Sequence, residues 1–234
     1  MEKTLTWWRK DTRMPAFSVV LLDFLDGAKN TIIFCVVSFP LALVLGLLLA
    51  LMSNSRLTWL RVPARIYIEV IRSTPLISQV YIIYFGVSGL LAASGLAVYV
   101  NTWTAGIASL ALNYAAYEAE VFRAGILSVD RGQGEAALSL GLTSLQSFFR
   151  IIFPQSIPLM IPPFVNDLIY MLKDSAIISV IGGAEITTKL DTWRVRFSSN
   201  PLPFFGIAIV LYLILSLPTS YFARAYERRL RAVQ

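Results

Sequence analysis

"GQGEAALSLGLTSLQSFFRIIFPQ", Gly132–Gln155, lies between two strongly apolar segments. Gly, Ser, Thr and Gln interrupt it too often for a bilayer span, yet it holds too many leucines for an ordinary solvated loop. Leu138, Leu142, Leu145 and Phe149 recur at i, i+4, i+7 and i+11, the stripe of one helix face. Gly141 interrupts that stripe and predicts two short helices set at an angle. One reading is an amphipathic helix on a membrane surface, but such helices carry Lys and Arg on their polar face. Between Arg131 and Arg150 there is no basic residue and a single acid, Glu135. A nearly uncharged apolar stripe outside the bilayer implies a protein groove that receives it.

The surrounding sequence fixes the class. The 234 residues are 56% hydrophobic and 15% charged, against about 25% charged in soluble domains. With long uncharged runs, this predicts an all-α membrane protein; a β-barrel would alternate polarity over roughly ten-residue segments. Five transmembrane helices are expected over residues 31–52, 75–92, 103–127, 157–180 and 203–222, each near the roughly 20 residues that cross the hydrocarbon core. The opening stretch falls between the third and fourth. No internal repeat is visible, which argues against a transporter built from inverted repeats.

Charge sets the direction. Arg56, Arg61, Arg65 and Arg72 crowd residues 53–73, residues 88–102 carry no charge, and Arg224, Arg228, Arg229 and Arg231 close the chain. Basic segments belong in the cytoplasm, so the N-terminus is expected outside and the C-terminus inside. Lys3, Arg9, Lys10 and Arg13 point the other way, but five spans put the two ends on opposite sides. Residues 1–26 then form an external N-terminal segment. Residues 27–223 form one transmembrane domain with a cytoplasmic loop at 128–155, and residues 224–234 form a basic cytoplasmic tail.

Several functions are disfavoured. The net charge of +6 is placed beside apolar spans, as membrane topology requires, and not as a nucleic-acid surface. Cys35 is the single cysteine and lies in an apolar run, and the chain has no His. No metal site, catalytic nucleophile–base pair or disulfide framework is expected. No cleavable signal peptide is evident. There is no G-x-x-x-x-G-K-[ST] loop to cradle ATP.

Ionisable residues inside spans mark sites, because a charge at mid-bilayer costs about 2.5–3.5 kcal/mol on insertion scales. In "LNYAAYEAEVFR", Asn113, Tyr117 and Glu120 share one helical face, with Tyr114 and Glu118 on a neighbouring stripe. In "VNDLIYMLKDSAIISV", Asp167 and Asp174 share a face, with Asn166 and Lys173 on the next. A cavity bringing Glu120 or Asp174 near Lys173 would bind both ends of an amino acid. The competing reading is mutual neutralisation: Glu120 with Arg123, and Asp174 with Lys173 or a neighbouring chain. Glu69 and Arg72, also three residues apart, read as a structural pair at the membrane edge, where Pro75 disturbs the helix.

The opening stretch resembles the EAA motif of ATP-binding-cassette (ABC) importer permeases. Its E-A-A, G and I-x-L-P elements fall on Glu135, Ala136, Ala137, Gly141, Ile151 or Ile152, and Pro154, with Phe153 in place of Leu. "YIEVIRSTPLISQ" resembles the Y-x-E-x-x-R-G-T-P-L segment of the polar amino-acid branch, with Ser73 for Gly. "LNYAAYEAEVFRAGILSVDRGQGEAA" and "NDLIYMLKDSAIISV" resemble its other signatures, with Ala176 where the family prefers Ser. The resemblance covers about residues 27–229.

The resemblance implies a type I ABC importer transmembrane domain with a cytoplasmic coupling helix. Gly134, Glu135, Ala136, Ala137, Leu138, Gly141, Leu142 and Leu145 would dock into a groove on a separate ATPase. Asn113, Tyr117, Glu120, Lys173 and Asp174 match positions near the family's substrate cavity. It further implies two cytoplasmic ATPase subunits that bind ATP and Mg, a second permease subunit, identical or homologous, and an external solute-binding protein. The chain itself would bind no cofactor. It would act in the bacterial cytoplasmic (inner) membrane on polar amino acids or similar solutes. The alternative is an ion-coupled secondary amino-acid transporter with Glu118, Glu120 or Asp174 as relay.

Overall fold

The computed structural model describes residues 16–95 and 100–231. Residues 1–15 of the expected N-terminal segment and 232–234 of the tail lie outside the described residues. All regular structure among the described residues is helical: α1 (Phe17–Ser53), α2 (Thr58–Arg72), α3 (Leu76–Ala93), α4 (Thr102–Leu127), α5 (Arg131–Ser139), α6 (Ser144–Ile181), α7 (Ile186–Arg196) and α8 (Leu202–Arg231). Helices α1, α3, α6 and α8 are long and apolar enough to cross a membrane. The more polar α4, with 26 residues, is about 39 Å long, longer than a hydrocarbon core of about 30 Å.

The tightest pair is α1 against α4. The buried face of α1 repeats small residues at helical spacing, with Thr31, Cys35, Ser38, Ala42, Gly46, Ala50 and Ser53. Ala105, Gly106, Ser109, Ala115, Ala116 and Ala119 answer from α4. Small residues let two backbones approach where lipid supplies no hydrophobic drive between helices. Helix α6 joins α4 through Met160, which lies where a side chain on Gly125 would stand.

Two elements differ from the sequence reading. Helix α1 starts at Phe17 and not near Thr31, because Val20, Phe24 and Ala28 continue its buried face into a cluster with Trp193, Phe204 and Ala208. Its two acids there are held from α7: Lys189 Nζ lies 2.7 Å from Asp23 Oδ1 and 3.3 Å from Asp26 Oδ2, and Trp193 Nε1 donates to Asp23 Oδ2 at 2.8 Å. The basic segment at 53–73 is mostly helix α2. Its Trp59, Val62, Ile66 and Val70 are exposed while Ala64 and Ile68 are buried, and the hydroxyl of Tyr67 donates to the carbonyl of Leu112 at 2.9 Å.

Helix ends follow local chemistry. Gly182 ends α6 in the left-handed region at φ +77°, a conformation that favours glycine. Glu185 caps α7, its carboxylate accepting from the backbone N–H groups of Thr187 and Thr188 at 2.7 Å each and from the Tyr212 hydroxyl at 3.0 Å. Burial still raises this carboxyl above the ordinary carboxylate range, against those donors.

Candidate functional site: a charged path along α4 and an apolar loop beside it

The chain stops being helical between α2 and α3 because Pro75 cannot donate and disfavours helix in the residue before it. Pro75 is extended, at φ −63° and ψ 137°. The carbonyls left open are not abandoned. Gln79 Nε2 donates to the carbonyls of Ile71 at 2.9 Å and Thr74 at 3.2 Å, and Gln79 Oε1 accepts from Asn113 Nδ2 at 3.0 Å. One buried amide therefore ties the break to the polar face of α4.

That face borders three linked cavities, upper, middle and lower in the order in which they share residues from Tyr114 through Tyr117 and Arg72 to Arg65. The upper one, of about 450 Å³, is lined by Asn113, Tyr114, Tyr117, Asp167, Tyr170 and Asp174 among others. The Tyr114 hydroxyl donates to Asp174 Oδ2 at 2.8 Å. The middle one, of about 550 Å³, shares Tyr117 and Asp167 with the first and adds Arg72 and Glu120. The lower one, of about 420 Å³, shares Arg72 and Glu120 and adds Arg65, Glu69 and Arg123. The charged residues of the upper cavity are therefore carboxylates alone, whereas guanidinium groups join carboxylates in the other two.

The residues expected at a substrate site are distributed unevenly. Asn113, Tyr117 and Asp174 line the upper cavity together. Glu120 stands lower and accepts from Arg123 Nε at 2.9 Å, the neutralising pair the sequence also allowed. Lys173 does not meet Glu120 or Asp174. Its ammonium lies 4.4 Å from the centre of the Tyr170 ring, and it borders another cavity with Tyr212 and Ser216, because it falls on the neighbouring helical face. Glu69 forms no ion pair with Arg72 among the described residues; Arg72 stacks on Tyr117 instead, 5.5 Å from the ring centre. Asp167 lines the upper cavity with Asp174, whose helical face it shares, while Tyr170 and Gln79 are site residues that the sequence reading does not single out. Asp167 was legible seven residues before Asp174, and Gln79 four residues after the breaking proline.

Glu118 is fully buried, and neither of its side-chain oxygens has a hydrogen-bond partner among the described residues. Leaving a buried polar group unpaired costs about 1–3 kcal/mol. Glu118→Met is therefore expected to raise the thermal midpoint in detergent by a gain of that order, about 1–3 kcal/mol. An unchanged or lower midpoint would mean that the assembled protein supplies the carboxyl with a partner.

Outside the bundle, Asp130 caps α5, its Oδ1 accepting from the Gly132 N–H at 2.7 Å. Gly141 takes φ +83° and breaks the stripe into α5 and the start of α6, which opens with a reciprocal Thr143–Gln146 capping box. Of the residues expected at a docking face, Glu135, Ala136, Leu138, Gly141 and Leu145 are exposed, Gly134 and Leu142 are half-buried, and Ala137 is buried. Leu138 is 50%, Leu140 83% and Leu145 68% exposed. Leu140, the most exposed of the three, escaped the periodicity because it sits at the break.

Membrane-length helices around a charged path, with an apolar loop projecting beside it, define a membrane permease subunit. The chain belongs to the family of binding-protein-dependent transport system inner membrane components, whose pattern matches residues 42–232. It is 40% identical over 206 residues to the octopine transport system permease protein OccM of Rhizobium radiobacter, covering 86% of this chain and 84% of that one. It is 34% identical over 209 residues to the arginine transport system permease protein ArtQ of Bacillus subtilis, covering 89% and 92%. Among solved structures it resembles a chain in the crystal structure of an amino acid ABC transporter with histidines, at TM-score 0.81 and 36% identity, covering 93% and 99%. The all-α fold is thus that of type I ABC importer permeases.

Proposed function

We propose that this chain is the permease subunit of an ATP-driven importer of polar amino acids or amino-acid-like solutes, and that the cavities along α4 are its solute path. The observation that carries the reading is the pairing of two features on one chain: a charged path inside the bundle, and exposed Leu138, Leu140 and Leu145 on a loop whose helix α5 begins three residues after Ser128 of the middle cavity. Relatives that act on octopine and arginine support the solute class. With α4 counted as the third of five spans and the basic residues of α2 and the tail on the cytoplasmic side, the N-terminus would lie outside and the C-terminus in the cytoplasm of a bacterial inner membrane. Two ATPase subunits would bind ATP and Mg and receive the loop. A second permease subunit would complete the path, and an external solute-binding protein would deliver to it. Closure of the ATPases would reach the helices through α5, favouring one facing of the path over the other.

The unpaired Glu118 carboxyl favours a second reading, an ion-coupled secondary transporter. Proteoliposomes with the co-purified ATPase separate the two. The first reading expects ATP inside to drive uptake of labelled amino acid, and Glu135→Arg on the exposed loop to cut that uptake by about tenfold or more through charge reversal at the contact. Full uptake by Glu135→Arg would sink the coupling role, and uptake that follows an imposed proton gradient without ATPase would establish the second reading.

A further inference from the structure

Arg72 occupies a singular place on the path. It lines the middle and lower cavities but not the upper. Its guanidinium covers Tyr117, and Tyr117 borders both the upper and the middle cavity. No carboxylate lies within ion-pair distance of Arg72 among the described residues. It is the last residue of α2, directly before the break at Ser73–Pro75. Gln79 holds that break through the carbonyls of Ile71 and Thr74, and is itself held by Asn113 in the upper cavity.

We propose that the Arg72–Tyr117 stack is a gate between the upper and middle cavities, positioned by the Asn113–Gln79 relay across the helix break. This rests on the reading of the cavities as a solute path. A guanidinium stacked on an aromatic face closes a gap with a contact weaker than a bidentate ion pair, so it can part without breaking a strong bond. Pro75, extended three residues after Arg72, gives the backbone a joint where α2 and α3 can shift separately. The relay passes from a residue bordering the upper cavity to the carbonyl of Ile71, next to Arg72, so a change at Asn113 reaches the gate through one amide.

The test needs neither solute nor ATP, so it fails separately from the importer reading. Cys35 is the single cysteine, and Cys35→Ser provides a thiol-free background. Ile177→Cys then reports on the upper cavity and Ala124→Cys on the middle one. The full chain in membrane vesicles is treated with an impermeant methanethiosulfonate from the face that carries α5. Arg72→Ala, and separately Gln79→Leu, are expected to speed labelling at Ile177→Cys about tenfold, the change that opening a mostly closed gate produces. Labelling at Ala124→Cys stays within about twofold, because that site lies below the gate. Tyr117→Leu, which removes the other half of the stack, gives the same acceleration and serves if Arg72→Ala does not fold. Unchanged labelling at Ile177→Cys in Arg72→Ala or Tyr117→Leu, with Ala124→Cys still reactive, overturns the gate. A change with Arg72→Ala but none with Gln79→Leu overturns the relay.

Discussion

Asp174→Ala is expected to cut amino-acid uptake about 100-fold, while assembly and basal ATP hydrolysis by the complex stay measurable. The carboxylate lines the upper cavity and accepts from the Tyr114 hydroxyl at 2.8 Å. Tyr114 is only 4% exposed, so losing its acceptor strands a buried hydroxyl as well as removing a charge. A hydrogen bond to a charged group contributes about 1.5–3 kcal/mol, and the upper end of that range is a factor of about 100. Asp174→Asn separates the two effects. Its amide oxygen can still accept from Tyr114, but the charge is gone. If Asp174→Asn transports as poorly as Asp174→Ala, the solute path uses the charge. If Asp174→Asn restores uptake, the residue serves to hold Tyr114, and the charge is not used by the solute.

The helical periodicity that marked Asp174 was also enough to sort its neighbours. Asp167 and Asp174 do face one cavity, while Asn166 and Lys173 turn to others. Lys173 was nevertheless expected near Glu120 or Asp174, because spacing along one helix says which residues share a face and not which helix that face meets. Residues 53–73 show the same limit. Their arginines read as a basic loop, yet the segment is α2, whose helical period is plain in Trp59, Val62, Ile66 and Val70. Charge density obscured a helix that turns Arg65, Glu69 and Arg72 toward a cavity and Trp59, Val62, Ile66 and Val70 outward. The start of α1 was hidden for a related reason: Asp23 and Asp26 look like solvent-exposed charges until Lys189 and Trp193, far along the chain, are folded against them. Pro75 announced a break, but its repair by Gln79 needs the fold. The loop was the most legible part, since its stripe, its missing charges and Gly141 are all local.

Gly46→Leu is expected to destabilise the bundle by about 3 kcal/mol, the upper end of the overpacking range, and so to remove most folded protein from detergent extracts. A Cβ on Gly46 would lie 2.7 Å from the Glu118 Cβ, 3.1 Å from the Ala115 carbonyl oxygen and 3.1 Å from the Ala119 nitrogen. None of these is the far end of a flexible side chain, so relief requires the two helices to separate. Their contact runs along a stripe of small residues from Thr31 to Ser53, and separation at Gly46 forfeits close packing on both sides of it. Gly206 in α8 provides the control, because nothing lies within 4 Å of a Cβ built there. Gly206→Leu fills open space on a helix and gains about 0.5–1 kcal/mol of helix propensity over glycine. Size-exclusion yield and thermal midpoint, measured on both variants, decide the matter. Equal behaviour of Gly46→Leu and Gly206→Leu would mean that α1 and α4 are not held at this distance in the membrane. A folded Gly46→Leu with displaced helices would shift the Glu118 carboxyl out of its dry site, and its stabilisation by Glu118→Met would then disappear.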